Sequence, residues 1–246
     1  MSPFGRAFAD GDRLEVAGAV VTLKVHRRAR RVSLRLDRTK RMIVATAPSA
    51  RRLSEAAAFA RERAGWIADR MAELPDASPV HPGMTIEVLG EPVRLEAGEG
   101  RAKWIEATET EPHRIAAMGE GEGYARAVIL MIRKRALAVL SERTAVHAAR
   151  LGAPMPKVTL TDAKARWGSC RPTTRGMPAS IRYSWRLALA PFAVADYVAA
   201  HECAHLLEMN HGPKFWAHVK TLIGDERRHR AWLREHGARL HAFGRV

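Results

Sequence analysis

The 246-residue chain predicts an α+β fold. A β-rich N-terminal part with one long helix precedes a domain built on a histidine-bearing helix packed against a small β-sheet. Three observations carry that expectation. Short β-branched runs alternate with turn-sized polar breaks through the first third. Two longer stretches, 51–74 and 124–150, repeat apolar residues at helical spacing. Near the C-terminus, HECAHLLEMNH (201–211) gathers His201, His205, His211, Glu202 and Glu208 after an alternating strand.

The elements follow in order. VVTLKV (20–25), RVSLRL (31–36) and MIVATA (42–47) read as strands. In the second, Val32, Leu34 and Leu36 face one way and Arg31, Ser33 and Arg35 the other, a half-buried strand with a basic outer face. A helix follows over about 51–74, with Leu53, Ala56, Phe59, Ala60, Ile67 and Leu74 on its apolar side. Gly65 weakens it without breaking it, and Pro75 and Pro79 close it. MTIEVLG, EPVRLEA, RAKWIEA and HRIAAM supply further short strands between 80 and 118. GEGEG (119–123) is the natural boundary, dividing a region 1–118 from a domain 119–246. A long helix from Tyr124 to about Arg150 carries Val128, Ile132, Leu137, Leu140 and Val146 among its apolar positions, and stops at Gly152. KVTLTD (157–162) is a strand, ARWGSCRPTTRGMP a loop, and SIRYSWRLAL a strand with Ile181, Tyr183, Trp185 and Leu187 inward and Arg182, Ser184 and Arg186 outward. Pro191 suits the first turn of the histidine-bearing helix. Helices at about 213–223 and 225–241 finish the chain, and no internal repeat is read.

Composition excludes several classes. Apolar residues at 47% and charged residues at 27% are those of a globular protein, not a disordered one. Two cysteines without a C-x-x-C pair argue against a disulfide scaffold and for a reducing cytoplasm. The first residues have no apolar signal region, and the longest apolar run, 187–200, is broken by Pro191 and Asp196, so no membrane association is expected. A net charge of +15 draws polyanions, with nucleic acid or a nucleotide the first candidates. Arginine spread through the whole chain is equally the composition of a merely solvated basic surface.

His-Glu-x-x-His on a helix has a definite chemistry. Residues four apart share a face, so His201 and His205 can grip one Zn2+ ion. Zinc lowers the pKa of a bound water toward neutrality, and Glu202, beside the first ligand, can take its proton as general base. A catalytic zinc needs a third protein ligand. Glu208 stays on the ligand face of a continuous helix; His211 joins only if the helix ends after His205 and the chain turns back. Met209-Asn210 and Gly212-Pro213 are turn signals, and spacing alone leaves both open.

RWGSC (166–170), SWRLALAP (184–191) and DYVAAHECAHLLEMNHGPKFW (196–216), with the N-terminal strands and long helix, resemble the YgjP-like family of zinc metallopeptidases. That family is related to the SprT-like and WLM minimal zincins, so the resemblance implies a zincin-like catalytic domain. It implies His201, His205 and His211 as zinc ligands, Glu202 as the catalytic residue, and a peptide or protein substrate. Family members have also been assigned as nucleoside triphosphate pyrophosphatases acting on UTP, and SprT-like relatives suggest a DNA-associated protease. Both remain alternatives. Cys203 stands where the family usually has leucine, Gly212 where it has serine, and the loop between Cys170 and Ile181 carries extra Arg171 and Arg175.

Other residues have competing readings. Arg166 and Trp167 are candidates for substrate or oxyanion contacts, against packing and carbonyl bridging. Tyr183 alternates as a core residue, and Cys170 fits a small buried side chain better than a ligand. Phe215 and Trp216 are expected to anchor the turn carrying His211, and His218 and His229 to lie on the surface.

Overall fold

A computed structural model describes residues 8–37, 40–74, 79–163, 166–174 and 176–244. The expectations for Pro75 and Arg175 lie outside them. By contacts the chain divides into two units, Met1–Asp76 and Ala77–Val246.

The first unit is a four-stranded sheet with helices on one face. Its strands are β1 (Arg13–Val16), β2 (Ala19–Val25), β3 (Ser33–Asp37) and β4 (Met42–Ala47), in the order β1-β2-β4-β3. β1 and β2 form a hairpin whose two-residue turn, Ala17-Gly18, has positive φ at both positions (51° and 73°), the twist that suits a tight hairpin. β2 runs parallel to β4, and β3 antiparallel to it at the edge. Val21, Leu23, Ile43 and Ala45 pack against Leu53, Ala56, Ala60 and Ile67, all fully buried. The expected single helix over 51–74 is two: α1 (Leu53–Glu62) and α2 (Ala64–Ala72), after a short 3-10 turn. The break falls at Arg63 (φ −96°, ψ 26°), where the backbone leaves the helical region between α1 and α2.

The second unit opens with the same device. β5 (Thr85–Val88), β6 (Glu91–Ala97), β7 (Lys103–Ile105) and β8 (His113–Ala117) form a sheet in the order β5-β6-β8-β7. Its pairing senses repeat those of the first sheet: antiparallel hairpin, parallel centre, antiparallel edge. The hairpin turn, Leu89-Gly90, again has two positive φ angles, 56° and 86°. Residues in equivalent register include the identical pairs Glu15/Glu87, Val16/Val88, Gly18/Gly90, Val21/Val93 and Leu23/Leu95. The chain therefore contains an internal repeat of a four-stranded module, which the sequence expectation missed.

A 30-residue helix, α3 (Gly121–Arg150), follows β8. Its Tyr124, Val128, Ile132 and Leu140 are buried in one core with Val93, Leu95 and Ile115 of the sheet, whereas Leu137 and Val146 are exposed. That shared core is why the contact division falls at 76/77 rather than at the glycine-rich 118/119 boundary: GEGEG starts a helix.

The third sheet has three strands: β9 (Lys157–Thr161), β10 (Gly168–Arg171) and β11 (Ser180–Ser184), in the order β10-β11-β9. β10 lies inside the stretch expected to be loop. The strand expected to run to Leu189 ends at Ser184, and a 3-10 turn covers Trp185–Leu189. Ser184 and Arg186 are consequently buried instead of outward; Arg186 lies over the Trp185 ring and donates to Asp162. Three helices remain: α4 (Phe192–Ala204), α5 (Pro213–Ile223) and α6 (Arg227–Ala242). No helix among the described residues is long and apolar enough to cross a membrane.

Candidate metal centre

α4 carries the site, and backbone bonds set where it starts. Leu89, in the β5–β6 turn, donates to the Ala188 carbonyl (2.6 Å) and accepts from the Phe192 amide (3.1 Å), bracketing Pro191, which caps the helix. Small side chains Ala195, Ala199, Ala200, Cys203 and Ala204 are buried around it, allowing close approach on most sides. α4 is tied to α3 by Asp196, whose Oδ1 accepts from His147 Nε2 (2.6 Å) and Arg143 Nε (2.7 Å). Burial alone would raise the Asp196 pKa; the two donors more than offset it and hold the carboxyl below its ordinary value.

The helix ends where the ligand question needs it to. Leu206 donates to the Cys203 carbonyl (2.9 Å), a tighter turn than an α-helix makes, and His205 is the C-cap. Gly212 then donates to Asn210 (2.7 Å), and Pro213 starts α5 in a new direction. This reversal brings His211 to His201 and His205. The ligand atoms of the three histidines all lie within 4.8 Å of one another, and Glu208 is not among them. Glu208 contributes its backbone carbonyl, which accepts from His205 Nδ1 at 3.0 Å.

The donor set suits a tetrahedral zinc ion. His201 Nε2 and His211 Nε2 are 3.1 Å apart, close to the roughly 3.3 Å that two Zn–N bonds of about 2.0–2.1 Å subtend in a tetrahedron. His205 Nδ1 must be a donor, because a carbonyl can only accept; its Nε2 lone pair is left for a metal. His201 Nδ1 faces the Tyr197 hydroxyl at 3.5 Å, and its Nε2 lies toward His211 Nε2, on the side where a metal would sit. Phe215 is fully buried with its ring centroid 4.5–4.8 Å from all three imidazoles, and Trp216 Nε1 donates to the His211 carbonyl (3.1 Å). Burial, then His205, His211 and Arg230, push the His201 pKa down to about 3, so the imidazole is neutral at pH 7, as a ligand must be.

Glu202 is 5% exposed. Burial pushes its pKa up to about 7, opposed by the positive charge of Arg166. A carboxyl poised near neutrality is matched to proton transfer. It lies directly under β10: a Cβ at Gly168 would stand 2.5 Å from Glu202 Oε1. Only glycine leaves room there.

The other candidates divide. Arg166 is exposed and near enough to act on Glu202. Trp167 stacks on His241 (centroids 4.8 Å) and touches Gly237 of α6, a packing role. Tyr183 is fully buried and donates to Thr144 Oγ1 (2.9 Å), which itself donates to the Leu140 carbonyl, so it is a core residue. Cys170 does not join the histidines, and burial with the nearby Glu202 charge pushes its thiol up to about 12. His218 is half-buried, and His229 stacks on Tyr197 (5.7 Å), so neither is a plain surface residue. Sequence reasoning missed Tyr197 and Gly168. Tyr197 was detectable one helical turn before His201; nothing in the spacing marked Gly168.

The family model described as YgjP-like, metallopeptidase domain, matches residues 30–236. No curated protein and no solved structure matches the chain.

Proposed function

The chain belongs to the YgjP-like metallopeptidase family, and from that premise we propose that it is a zinc-dependent peptidase whose ion is held by His201, His205 and His211. The observation that carries the reading is the convergence of three imidazoles beside a buried carboxyl whose pKa is pushed to about 7. Zinc held there would polarise a scissile carbonyl and acidify a water molecule. Glu202 takes a proton from the attacking water and returns it to the departing amine. Its burial keeps that proton affinity high enough for both halves of the cycle. Arg166, exposed at the same carboxyl, biases it toward the ionised form that accepts the proton.

β10 supports a polypeptide substrate. It is the edge of its sheet, and its Gly168 lies against Glu202. An extended chain can add to such an edge through main-chain hydrogen bonds and pass its carbonyl to the site. Both cysteines are free, which accords with the cytoplasmic location expected of the protein. The test is zinc content and cleavage of an unfolded polypeptide by wild type and Glu202→Gln. The variant should hold zinc as wild type does and lose turnover; equal turnover would remove Glu202 from the mechanism.

A further inference from the structure

We propose that the first unit is a recognition module that takes an extended, acidic segment of a polypeptide partner as an added strand on β3. The inference is independent of the metal reading. β3 is the edge of its sheet and pairs only with β4 among the described residues. Its other side offers main-chain donors and acceptors to an incoming strand.

Beside this edge lies an open groove. α1 packs mainly over β1, β2 and β4, and the strip along β3 is left as a groove between the strand and Phe59 and Trp66. There a cavity of about 410 Å³ is lined by Arg31, Val32, Ser33, Leu34, Phe59, Arg63 and Trp66. A second, of about 360 Å³, continues it past Arg52 and Glu55.

The repeated module shows what a filled strip looks like. Leu34 sits opposite Ala45 in the first sheet, and Trp104 opposite Ile115 in the second, in equivalent register. Trp104 is half-buried, with its ring against His113 (5.3 Å) and under the guanidinium of Arg135 from α3 (5.3 Å). With leucine at that position the first module keeps its groove.

The lining specifies the occupant. Val32 and, in β3, Leu34 and Leu36 are half-buried on the groove side; Arg35 is exposed on the other face, and Arg31 is exposed at the groove itself. An added strand alternates in the same way, so apolar residues would meet Leu34 and Phe59 while acidic ones lie across from Arg35 and reach Arg31 at the end of the groove. Arg31, Arg35 and Arg63 have no carboxylate partner among the described residues, whereas Arg52 is paired to Glu55. Single-stranded nucleic acid would need free aromatic faces for stacking. Here Arg63 already lies over Phe59 (5.5 Å) and Arg70 over Trp66 (5.9 Å).

The test is fluorescence anisotropy of the full-length chain with a labelled peptide of about ten alternating glutamate and valine residues, long enough to span a strand. Comparison probes are the same peptide N-methylated along one edge, its lysine counterpart, and oligothymidine. The acidic peptide should bind, and N-methylation should weaken it about tenfold or more by removing main-chain bonds. The double variant Arg31→Glu/Arg35→Glu, at exposed positions, should weaken it similarly and reverse the preference toward the lysine peptide. Trp66→Ala, checked for folding by circular dichroism, should also weaken it. Equal binding of the N-methylated peptide would overturn strand addition. Displacement of the peptide by oligothymidine would give the groove to nucleic acid, and no binding of the acidic peptide would remove the proposal.

Discussion

Gly168→Ala is the most informative single change. The new Cβ would stand 2.5, 2.6 and 2.7 Å from Glu202 Oε1, Cγ and Cδ, where ordinary contact begins at 3.4 Å. The carboxyl arm must therefore swing as a whole by about 1 Å, because its inner carbon clashes as badly as its oxygen. A displacement of that size in a reacting group costs about 10²-fold in rate, within the 10²–10⁴-fold range of a general base. The histidines are untouched, so zinc content should stay at wild-type level. The assay is kcat/KM for an unfolded polypeptide beside metal analysis, in wild type, Gly168→Ala, Glu202→Gln and the double variant. If the glycine acts only through Glu202, the double variant should be little worse than Glu202→Gln alone. Activity of Gly168→Ala within a few-fold of wild type would refute the reasoning. So would a full extra loss in the double variant, which would place the effect elsewhere.

Three other outcomes are expected. His211→Ala should release zinc and activity together, while Glu208→Ala keeps both, since only the Glu208 backbone carbonyl touches His205; metal analysis after dialysis decides. Glu202, pushed up to about 7 by burial, is ionised only above that pH, so the acid limb of kcat/KM should lie well above an ordinary carboxyl's range. Zinc draws it down somewhat, and Arg166→Ala, which removes the opposing charge, should move the limb upward in a pH–rate profile. Metal-free protein should lose stability on acidification. His201 is held neutral with its folded pKa near 3, below its ordinary 6.5, so the unfolded chain binds the extra proton. Its contribution is present above about pH 6.5 and fades as pH falls toward 3; thermal melts should show a falling Tm that zinc postpones and His201→Gln flattens.

Much of this was legible because periodicity survives folding. Val32, Leu34 and Leu36 alternate with Arg31, Ser33 and Arg35 in burial as they do in sequence. His201, Glu202 and His205 declared themselves by spacing, since one helical turn is a fixed distance. Spacing could not choose between Glu208 and His211, because that depends on where α4 ends. The end is set by the tight Leu206–Cys203 bond and the Gly212-Pro213 redirection, not by a strong stop signal. Ser184 and Arg186 were misread as outward because alternation continued past the point where β11 gives way to a 3-10 turn. β10 was hidden because Gly168 and Ser169 have poor strand propensity, and Gly168 is there to clear Glu202. The repeated module escaped notice because what it preserves is pairing register and turn geometry, carried by a few residues such as Gly18/Gly90 and Leu23/Leu95.

The most direct test of the account is one mass-spectrometric product scan. Zinc-loaded wild type and Glu202→Gln are each incubated with a mixture of unfolded polypeptides and nucleoside triphosphates including UTP. The account predicts peptide fragments from wild type alone, with the nucleotides intact. Nucleoside monophosphate and pyrophosphate without fragments would contradict it, and would make the same three histidines and Glu202 the centre of a nucleotide hydrolase.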